Sequence, residues 1–232
     1  MRVRPSSGIL LIALTLFASI VSAETIAIIG TGNVASALGP EFAAQGHTVV
    51  YGSRNPDSDD ASKLVAETGE GTSVTTPGVA VTDADVVVLA VPGMLVKEIT
   101  EGLGDLAGKI VIDPTNPLIF ESQGIRLGVA TSNTRIIQDV APDAAVVKAF
   151  NTLNWKTMID PQSSGGPVSI PLAGESPDAK TFVAGLVTGM GLEAIDVGGV
   201  ENARWLEGMA VLLLNNRFGS GEPFDFHLRK LD

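Results

Sequence analysis

A glycine turn between a short apolar run and a helical pattern is the feature that most constrains how this chain can fold. Residues 25–29 are mostly β-branched and apolar, which is typical of a buried strand. The turn that follows reads Gly30-Thr31-Gly32-Asn33-Val34-Ala35, a G-x-G-x-x-A pattern. After it, the apolar residues Val34, Leu38 and Phe42 recur every four positions, as in an amphipathic helix. The segment therefore predicts a strand, a tight turn and a helix.

Each small residue of this turn has a physical role in binding a dinucleotide. Gly30 permits the tight turn, Gly32 lets the backbone approach a pyrophosphate, and Ala35 lets the helix pack closely on the strand. The N-terminus of the helix adds free N–H groups and the positive end of the helix dipole. The sequence therefore predicts a dinucleotide site. The alternative, a glycine-rich turn that binds nothing, remains open at this point.

The loop after the second predicted strand indicates which dinucleotide to expect. Residues 48–51 form that strand, and Gly52-Ser53-Arg54-Asn55-Pro56 follows where an NAD-binding protein carries an acid for the ribose 2′-hydroxyl. A carboxylate would repel a 2′-phosphate, whereas the Ser53 hydroxyl and the Arg54 guanidinium can donate hydrogen bonds to its oxygens. We therefore expect NADP(H). The alternative is that Arg54 is simply solvated, and the aspartates between positions 57 and 60 would weaken its attraction for a phosphate.

The remainder of the chain alternates short apolar runs with helical patterns, as in βαβ units. Several runs are continuously apolar, as strands buried on both faces of a parallel sheet are. A helix is expected over residues 177–190, where a start signal of serine, proline and aspartate precedes a glycine stop, and a last helix over residues 201–215. Pro40 is expected to kink the first helix or to remove one of its hydrogen bonds. The fold class is α/β, a single domain with a Rossmann-like, doubly wound, mostly parallel sheet. The predicted strands are residues 25–29, 48–51, 86–91, 110–112, 145–150, 168–172 and 193–197.

The first 23 residues have the features of a secretory signal. Two arginines and no acid precede an apolar run, and Val21-Ser22-Ala23 offers small residues where a signal peptidase reads. The run is about 14 residues long, shorter than the roughly 20 that cross a bilayer, so an uncleaved membrane anchor is the second choice. The chain is therefore divided into a signal peptide, residues 1–23, and an NADP-binding oxidoreductase domain, residues 24–232. We expect an exported protein, periplasmic or secreted, without stable membrane insertion after cleavage.

Composition excludes several classes of partner and chemistry. With 15 Lys and Arg against 26 Asp and Glu, the net charge is −11, so no general attraction to nucleic acid is expected. The chain has no cysteine, which excludes disulfides, thiolate metal sites and thiol nucleophiles. No spacing of histidines and carboxylates typical of a metal site is present. The expected partners are therefore small-molecule redox cofactors.

No side chain is convincingly placed to transfer a proton to or from a substrate hydroxyl. Tyr51 is the only tyrosine, and it lies in the second predicted strand without the lysine four positions later that short-chain dehydrogenases use. His47 precedes that strand and His227 lies near the C-terminus, so a structural role is expected for both. A flavin or deazaflavin as second reactant needs no such group, because the protein has only to stack and orient two rings. No catalytic residue is therefore predicted.

Two rings would meet in the crevice beyond the carboxyl ends of the strands. There the sequence places Ala90-Val91-Pro92, Asn116 and Asn151. The two amide side chains can donate and accept hydrogen bonds toward a nicotinamide amide or a pyrimidine-like edge. The alternative, that both asparagines are ordinary turn formers, stays open for each of them.

Several of these segments together resemble a known family. They are residues 26–56 with the Gly-Thr-Gly-Asn turn and the Gly-Ser-Arg-Asn-Pro loop, Val87-Val88-Leu89-Ala90-Val91-Pro92, residues 113–117, Val147-Lys148-Ala149-Phe150-Asn151-Thr152, and Asp196-Val197-Gly198-Gly199 followed by Ala203-Arg204 and Leu206-Glu207. Over nearly all of residues 25–218, the chain resembles the NADPH-dependent coenzyme F420 reductases and is similar to the cytosolic oxidoreductase domain of the STEAP metalloreductases. The resemblance implies a single Rossmann-like domain, often a homodimer, that moves hydride between NADP(H) and a deazaflavin (coenzyme F420) or a flavin.

The predicted cofactor site combines the residue chemistry with this resemblance. The resemblance implies that seven residues contact NADP(H), namely Thr31, Asn33, Ser53, Arg54, Val91, Pro92 and Ala149. It places Asn116 and Asn151 near the stacked rings. The complete predicted set is Gly30, Thr31, Gly32, Asn33, Val34, Ser53, Arg54, Asn55, Ala90, Val91, Pro92, Asn116, Ala149 and Asn151.

Two other functions remain open on the sequence alone. One is an exported module that binds NADP(H) without catalysis, and it predicts binding without turnover. The other is an imine reductase of the pyrroline-carboxylate type, which shares the glycine turn. Such enzymes usually add a long helical dimerisation region, whereas only about 30 residues follow the last predicted strand here.

Overall fold

The computed structural model describes residues 23–219, 221–222 and 224–231. Within them, one eight-stranded sheet and one two-stranded hairpin account for the strands. The strands of the chain are β1 (Thr25–Ile29), β2 (Thr48–Gly52), β3 (Ser73–Thr75), β4 (Val86–Leu89), β5 (Ile110–Asp113), β6 (Leu118–Glu121), β7 (Gly124–Leu127), β8 (Ala145–Lys148), β9 (Ser169–Gly174) and β10 (Glu193–Asp196).

The large sheet has the strand order β10-β9-β8-β5-β4-β1-β2-β3, and β6 and β7 form the hairpin. Every neighbouring pair in the large sheet is parallel except β8 and β9, which are antiparallel. Six strands therefore point their carboxyl ends toward one edge of the sheet, and β9 and β10 run the opposite way. The prediction of a mostly parallel sheet is confirmed.

Helices cover both faces of this sheet, as expected when the strands carry apolar side chains on both sides. They are α1 (Asn33–Ala44), α2 (Asp59–Thr68), α3 (Pro77–Thr82), α4 (Val96–Glu101), α5 (Asn133–Val140), α6 (Trp155–Ile159), α7 (Pro177–Gly189) and α8 (Ala203–Phe218). The core on one face includes buried residues of α1, α2, α6 and α7, among them Leu38, Leu64, Met158 and Val183. The core on the other face includes buried residues of α3, α4 and α5, among them Ala80, Val96 and Ile137. The sheet is thus doubly wound, as predicted.

The strand order reverses between β1 and β4. From β1 the chain proceeds outward to β2 and β3 on one side, and from β4 to β5 and β8 on the other. Connections leave in opposite directions at such a switch point, so a crevice opens beyond the carboxyl ends of the two strands, where doubly wound folds bind ligands. The glycine turn lies directly at this point, because it follows β1.

The structure corrects several predicted element bounds. The sequence patterns missed β3 and the β6–β7 hairpin, since these strands have only three or four residues and are not continuously apolar. The fourth and eighth strands end at Leu89 and Lys148, earlier than predicted, because the chain turns there into the loops of the crevice. The last helix is preceded by a turn of 3-10 helix, Val200–Asn202, and continues to Phe218. Helix α1 runs through Pro40 without ending there.

The predicted signal segment lies outside the described residues except for Ala23, which is exposed. In the part of the chain that the structure describes, no helix combines the length and the apolar character required to cross a bilayer.

Candidate functional site

The glycine turn has the geometry that the G-x-G-x-x-A pattern requires. Gly30 has a φ of +116°, and its N–H donates a hydrogen bond to the carbonyl oxygen of Gly52 at 2.9 Å. A Cβ atom at Gly30 would lie only 2.2 Å from the carbonyl oxygen of Ala90. Both the left-handed backbone and the close approach of the loop after β4 therefore require glycine here.

Gly32 serves a different purpose from Gly30. It is the N-cap of α1 with a φ of −87°, which any residue could adopt, and a Cβ atom there would meet no atom of the described residues within 4 Å. No side chain in the described part of the chain caps the helix, and its first turn contains no acidic residue. An uncapped helix N-terminus with open space at the N-cap is an arrangement suited to a phosphate. Of the other predicted residues in the turn, Thr31 and Asn33 are exposed and Val34 is half-buried.

The loop after β2 presents Arg54 to solvent and holds Ser53 in place. The Ser53 N–H donates to the carbonyl oxygen of Thr75 at 2.8 Å, and the Ser53 hydroxyl oxygen accepts from the Asn55 N–H at 3.1 Å. Ser53 is buried, whereas Arg54 and Asn55 are exposed. No ion pair among the described residues involves Arg54. Its guanidinium group therefore has its donors available for a ligand.

The aspartates that follow this loop belong to a helix start. Asp59 and Asp60 lie in the first turn of α2, where carboxylates interact favourably with the helix dipole. Ser58 caps the same helix, and its hydroxyl oxygen accepts from the Ala61 N–H at 3.3 Å. Two of the acids near Arg54 thus have a structural function that does not involve pairing with it.

Strand register brings these loops side by side. Ile29 at the end of β1 is paired with Gly52 at the end of β2 and with Leu89 at the end of β4. The glycine turn, the Ser53–Arg54 loop and the Ala90–Pro92 loop therefore begin at the same level of one sheet edge. The structure brings the loop predicted to bind the 2′-phosphate next to the turn predicted to bind the diphosphate, and it places the Ala90–Pro92 loop of the predicted crevice on the other side of that turn.

Asn116 and Asn151 form a reciprocal pair across the loops after β5 and β8. The Asn116 side-chain amide donates to the Asn151 carbonyl oxygen, and the Asn151 amide donates to Asn116 Oδ1, both at 2.9 Å. Asn151 Oδ1 is buried without a hydrogen-bond partner among the described residues. The loop after β4 packs closely against the backbone of Asn116: a Cβ atom at Gly93 would lie 2.0 Å from the Asn116 carbonyl oxygen.

Backbone strain marks the same loop after β8. Phe150 has a φ of +63°, the one positive value at a non-glycine residue in the described part of the chain. It stands between the predicted residues Ala149 and Asn151, both of which are buried. A strained conformation of this kind costs roughly 1–3 kcal/mol and persists only where surrounding contacts impose it, which is frequent at functional sites.

A buried ionic cluster beneath these loops was not predicted from the sequence. The Lys148 side chain is 0% exposed, and its ammonium group donates to Asp113 Oδ2 and to the Thr115 carbonyl oxygen, both at 2.7 Å. The same ammonium forms an ion pair with Glu207 Oε1 at 2.8 Å. Asp113 also accepts from the Thr115 N–H, the Thr115 hydroxyl and the Thr134 hydroxyl. The lysine interrupting the apolar run of β8 was the available signal, because a buried lysine needs a charged partner.

Asn133 and Glu207 connect this cluster to the loop after β4. The Asn133 N–H donates to Glu207 Oε1 at 2.8 Å, and the Asn133 amide donates to the Gly93 carbonyl oxygen at 2.8 Å and to the Thr115 hydroxyl at 2.7 Å. Burial raises the pKa of the Glu207 carboxyl above its ordinary value; the Lys148 ammonium opposes this shift and the Asp113 carboxylate adds to it. The first residue of α5 thus links α8 to the crevice.

The tyrosine and both histidines have structural contacts outside the crevice. Tyr51 is fully buried, and its hydroxyl is 2.7 Å from the Thr68 hydroxyl oxygen. His47 Nδ1 accepts from the Glu24 N–H at 3.2 Å before β1 and β2 begin, at the opposite edge of the sheet. His227 Nε2 lies 2.7 Å from the Ser164 hydroxyl oxygen. Among the described residues, no group of three histidine or acidic side chains is arranged to hold a metal ion.

Comparisons with known proteins agree with this geometry. A family model described as NADP oxidoreductase coenzyme F420-dependent matches residues 25–117. The F420-dependent NADP reductase of Methanothermobacter thermautotrophicus is 30% identical over 204 residues, which cover 80% of this chain and 85% of that protein. The metalloreductase STEAP3 of Rattus norvegicus is 31% identical over 193 residues, which cover 83% of this chain but only 37% of that protein.

A solved structure shares both the fold and nearly the whole length. The crystal structure described as an F420-dependent NADP reductase from Arthrobacter sp. FB24 superposes with a TM-score of 0.80 at 29% identity. The match covers 90% of this chain and all of that one. With a family relative 30% identical over most of both chains, and with the glycine turn and the Ser53–Arg54 loop at one sheet edge, the family is established. The chain belongs to the F420-dependent NADP reductase family and is an NADP-dependent oxidoreductase.

Proposed function

We propose that this chain binds NADP(H) along the carboxyl edge of β1, β2 and β4 and transfers hydride between it and a deazaflavin, such as coenzyme F420, or a flavin. The observation that carries the proposal is the uncapped N-terminus of α1 at the same sheet edge as the loop that bears Arg54. The open space at Gly32 admits a diphosphate to the helix N–H groups. The residues present therefore fit the cofactor.

Ser53 and Arg54 are proposed to hold the 2′-phosphate of the adenosine ribose. The planar guanidinium can donate two parallel hydrogen bonds to phosphate oxygens, which a lysine in its place could not reproduce. The Ser53 hydroxyl keeps its proton for a ligand, because in its contact with Asn55 the oxygen acts as the acceptor. Asn55, exposed beside them, completes the proposed loop.

The loops after β4, β5 and β8 are proposed to hold the nicotinamide end and the ring of the acceptor. Asn116 is half-buried, and its reciprocal hydrogen bonds with Asn151 fix the orientation of both amides. Asn151 Oδ1 has an unused acceptor position that a ligand amide could satisfy after a small movement of the loop. Val91 and Pro92 border the same crevice, and the proline stiffens its backbone.

The groups that the crevice contains support a ring acceptor. When bound, NADPH supplies a hydride from its dihydronicotinamide ring, and a deazaflavin or flavin ring can accept it while exchanging a proton with solvent. Tyr51, His47 and His227 are all engaged elsewhere, and the Lys148 ammonium is fully buried. The task of the described crevice residues is therefore to bind and orient two rings rather than to transfer a proton.

Anaerobic stopped-flow kinetics tests this function. The purified protein is mixed with NADPH and, in separate runs, with coenzyme F420, FMN or FAD, and the loss of NADPH absorbance is followed. We expect rapid loss with at least one of them and much slower loss with NADH. Tight NADPH binding without turnover of any acceptor would instead favour a non-catalytic binding module. Turnover of a cyclic imine alone would favour the imine reductase alternative.

We also propose that residues 1–23 direct export and are removed, and that the mature chain forms a homodimer. The support is the arginine-containing start, the apolar run and the small residues at Val21-Ser22-Ala23 for the first, and the family resemblance for the second. N-terminal sequencing of protein from the extracytoplasmic fraction should begin at Glu24. Sedimentation velocity of the mature chain measures its mass in solution, and an intact N-terminus or a monomer would contradict the respective proposal.

A further inference from the structure

Three loops of the proposed crevice are tied to one buried ammonium group. Lys148 directly precedes the Ala149–Asn151 segment, and its ammonium binds the carbonyl oxygen of Thr115, the residue before Asn116. Through Glu207 and Asn133, the same group is linked to the Gly93 carbonyl oxygen in the loop after β4. The ammonium therefore has three close partners in this cluster: two hydrogen-bond acceptors and the Glu207 carboxyl group, with which it forms an ion pair. Any change in its partners should therefore reach all three loops.

The charges of this cluster do not balance if both carboxyl groups are ionised. Asp113, Glu207 and Lys148 all have side chains that are 0% exposed. Two carboxylates and one ammonium would leave a net negative charge in the interior, which low-dielectric surroundings strongly disfavour. One proton bound to one of the carboxyl groups makes the cluster neutral.

Hydrogen bonding indicates which carboxyl group holds that proton. Both Asp113 oxygens accept: Oδ1 from the Thr115 N–H and hydroxyl, and Oδ2 from the Thr134 hydroxyl and the Lys148 ammonium. Glu207 Oε1 forms an ion pair with Lys148 and accepts from the Asn133 N–H, whereas Glu207 Oε2 is buried without a partner among the described residues. Four donors are directed at the two Asp113 oxygens and none at Glu207 Oε2, so Glu207 Oε2 is the better place for the proton.

Among the described residues, the charged groups that act on Glu207 from β5 and β8 are Asp113 and Lys148, and α5 contributes the neutral Asn133 and Thr134. Three arginines on α8 and the elements packed against it are engaged elsewhere. Arg126 of β7 pairs with Glu121, Arg135 of α5 pairs with Glu201, and Arg204 of α8 donates to the carbonyl oxygens of residues 129–131. None of these arginines supplies the missing positive charge.

We propose that Glu207 is a positioning residue for hydride transfer: it holds a proton on Oε2 and completes a neutral Lys148–Asp113–Glu207 cluster that fixes the loops bearing Gly93, Asn116 and Asn151. The proposal rests on the proposed function, because those loops are the ones assigned to the nicotinamide end. Glu207 does not contact substrate, since its side chain is fully buried. It acts through the backbone and amide groups that Lys148 and Asn133 hold.

The protonation state is tested without any ligand, by infrared spectroscopy and by stability against pH. Wild type at neutral pH should show the C=O band of a protonated carboxylic acid that is missing in Glu207→Gln. A carboxyl group with a raised pKa stabilises the fold most below its ordinary pKa, and this contribution is lost as pH rises toward the raised value. The ratio of the folding constants of wild type and Glu207→Gln should therefore fall with rising pH, by at most about tenfold per pH unit.

The positioning role is tested by the kinetic pattern of two substitutions. Glutamine has the shape of the neutral glutamic acid, so Glu207→Gln should retain kcat within about threefold. Leucine removes the carboxyl oxygen that Lys148 and Asn133 contact, so Glu207→Leu should lower kcat by at least about tenfold. In Glu207→Leu, the Kd of 2′,5′-ADP should stay near wild type while the Kd of NADPH rises. Glu201→Gln is the matched control, since Glu201 is exposed at the start of the same region and should change none of these quantities.

These experiments distinguish a failure of the Glu207 proposal from a failure of the proposed hydride transfer. If no acceptor is turned over, the infrared band, the pH dependence and the ratio of NADPH to 2′,5′-ADP affinity still report on Glu207. Absence of the carboxylic acid band at neutral pH would overturn the proposal. So would a Glu207→Gln protein that loses turnover or NADPH affinity as strongly as Glu207→Leu does.

Discussion

A single methyl group added at Gly32 or at Gly30 should have opposite effects on cofactor binding and on folding. At Gly32 the backbone conformation is open to any residue and the new Cβ atom would meet nothing within 4 Å. Gly32→Ala should therefore fold normally. The methyl group would, however, occupy the space through which a diphosphate approaches the N–H groups of α1. Loss of one charge-assisted hydrogen bond costs about 1.5–3 kcal/mol, so the Kd of NADPH should rise roughly 10- to 150-fold.

At Gly30 the same substitution should act on the fold. The φ of +116° penalises any side chain, and the Cβ atom would lie 2.2 Å from the Ala90 carbonyl oxygen. Backbone strain alone costs about 2 kcal/mol, which for a domain of this size lowers Tm by roughly 4–8 °C before the clash is added. Gly46→Ala is the matched control, because Gly46 has a φ of +92° with open space around it, before β2 and away from the crevice.

Two measurements on the three variants suffice, thermal unfolding without ligand and a fluorescence titration with NADPH. Gly32→Ala should keep its Tm and lose affinity, Gly46→Ala should lose only Tm, and Gly30→Ala should lose more Tm than Gly46→Ala. Wild-type NADPH affinity in Gly32→Ala would refute the assignment of the α1 N-terminus to the diphosphate. A Gly30→Ala protein as stable as wild type would refute the claim that the positive φ and the close Ala90 carbonyl oxygen require glycine at this position.

Three further predictions concern individual residues of the site and its surroundings. Arg54→Ala should weaken the binding of NADPH by about 1.5–3 kcal/mol and the binding of NADH hardly at all, as measured by isothermal titration. An equal loss of binding free energy for both cofactors would mean that Arg54 does not contact the 2′-phosphate. Tyr51→Phe should lower stability by about 0.5–1.5 kcal/mol in a urea titration, because Thr68 keeps its bond to the Leu64 carbonyl oxygen, and should leave turnover unchanged; a loss of kcat alone would give Tyr51 a catalytic role. Asn151→Ala should reduce kcat while preserving the Kd of 2′,5′-ADP, and an equal loss of both would place Asn151 outside the nicotinamide end.

The local features of this chain could be predicted from its sequence because each depends on neighbouring residues. The turn at Gly30 and Gly32 requires particular residue types, and buried parallel strands require continuous apolar runs. The hairpin of β6 and β7 could not be predicted in this way. Its strands are short and partly polar, and its two-residue turn is Ser122-Gln123, which lacks the Asn-Gly signature of tight hairpins.

The buried cluster of Lys148, Asp113 and Glu207 could be predicted from the sequence only in part. A lysine within the apolar run of β8 signals a buried ion pair, and Glu207 lies next to Leu206 on the packed face of the last helix. Which carboxyl group pairs with Lys148 depends on where α8 packs relative to the sheet, and no local sequence pattern determines that position. The Asn116–Asn151 pair is similar, since each residue was singled out for its chemistry, but their mutual hydrogen bonds arise from the order of β5 and β8 in the sheet.

Isotope tracing distinguishes direct transfer of hydride from NADPH to a ring acceptor in the crevice from every route through solvent. NADPH stereospecifically deuterated at C4 is reacted in a single turnover with coenzyme F420 in ordinary water, once for each of the two C4 isomers. We expect one isomer to deliver its deuterium to a carbon of the reduced deazaflavin without exchange with solvent. Reduction with deuterium released to water, or NADPH binding with no reduction of any deazaflavin or flavin, would contradict it.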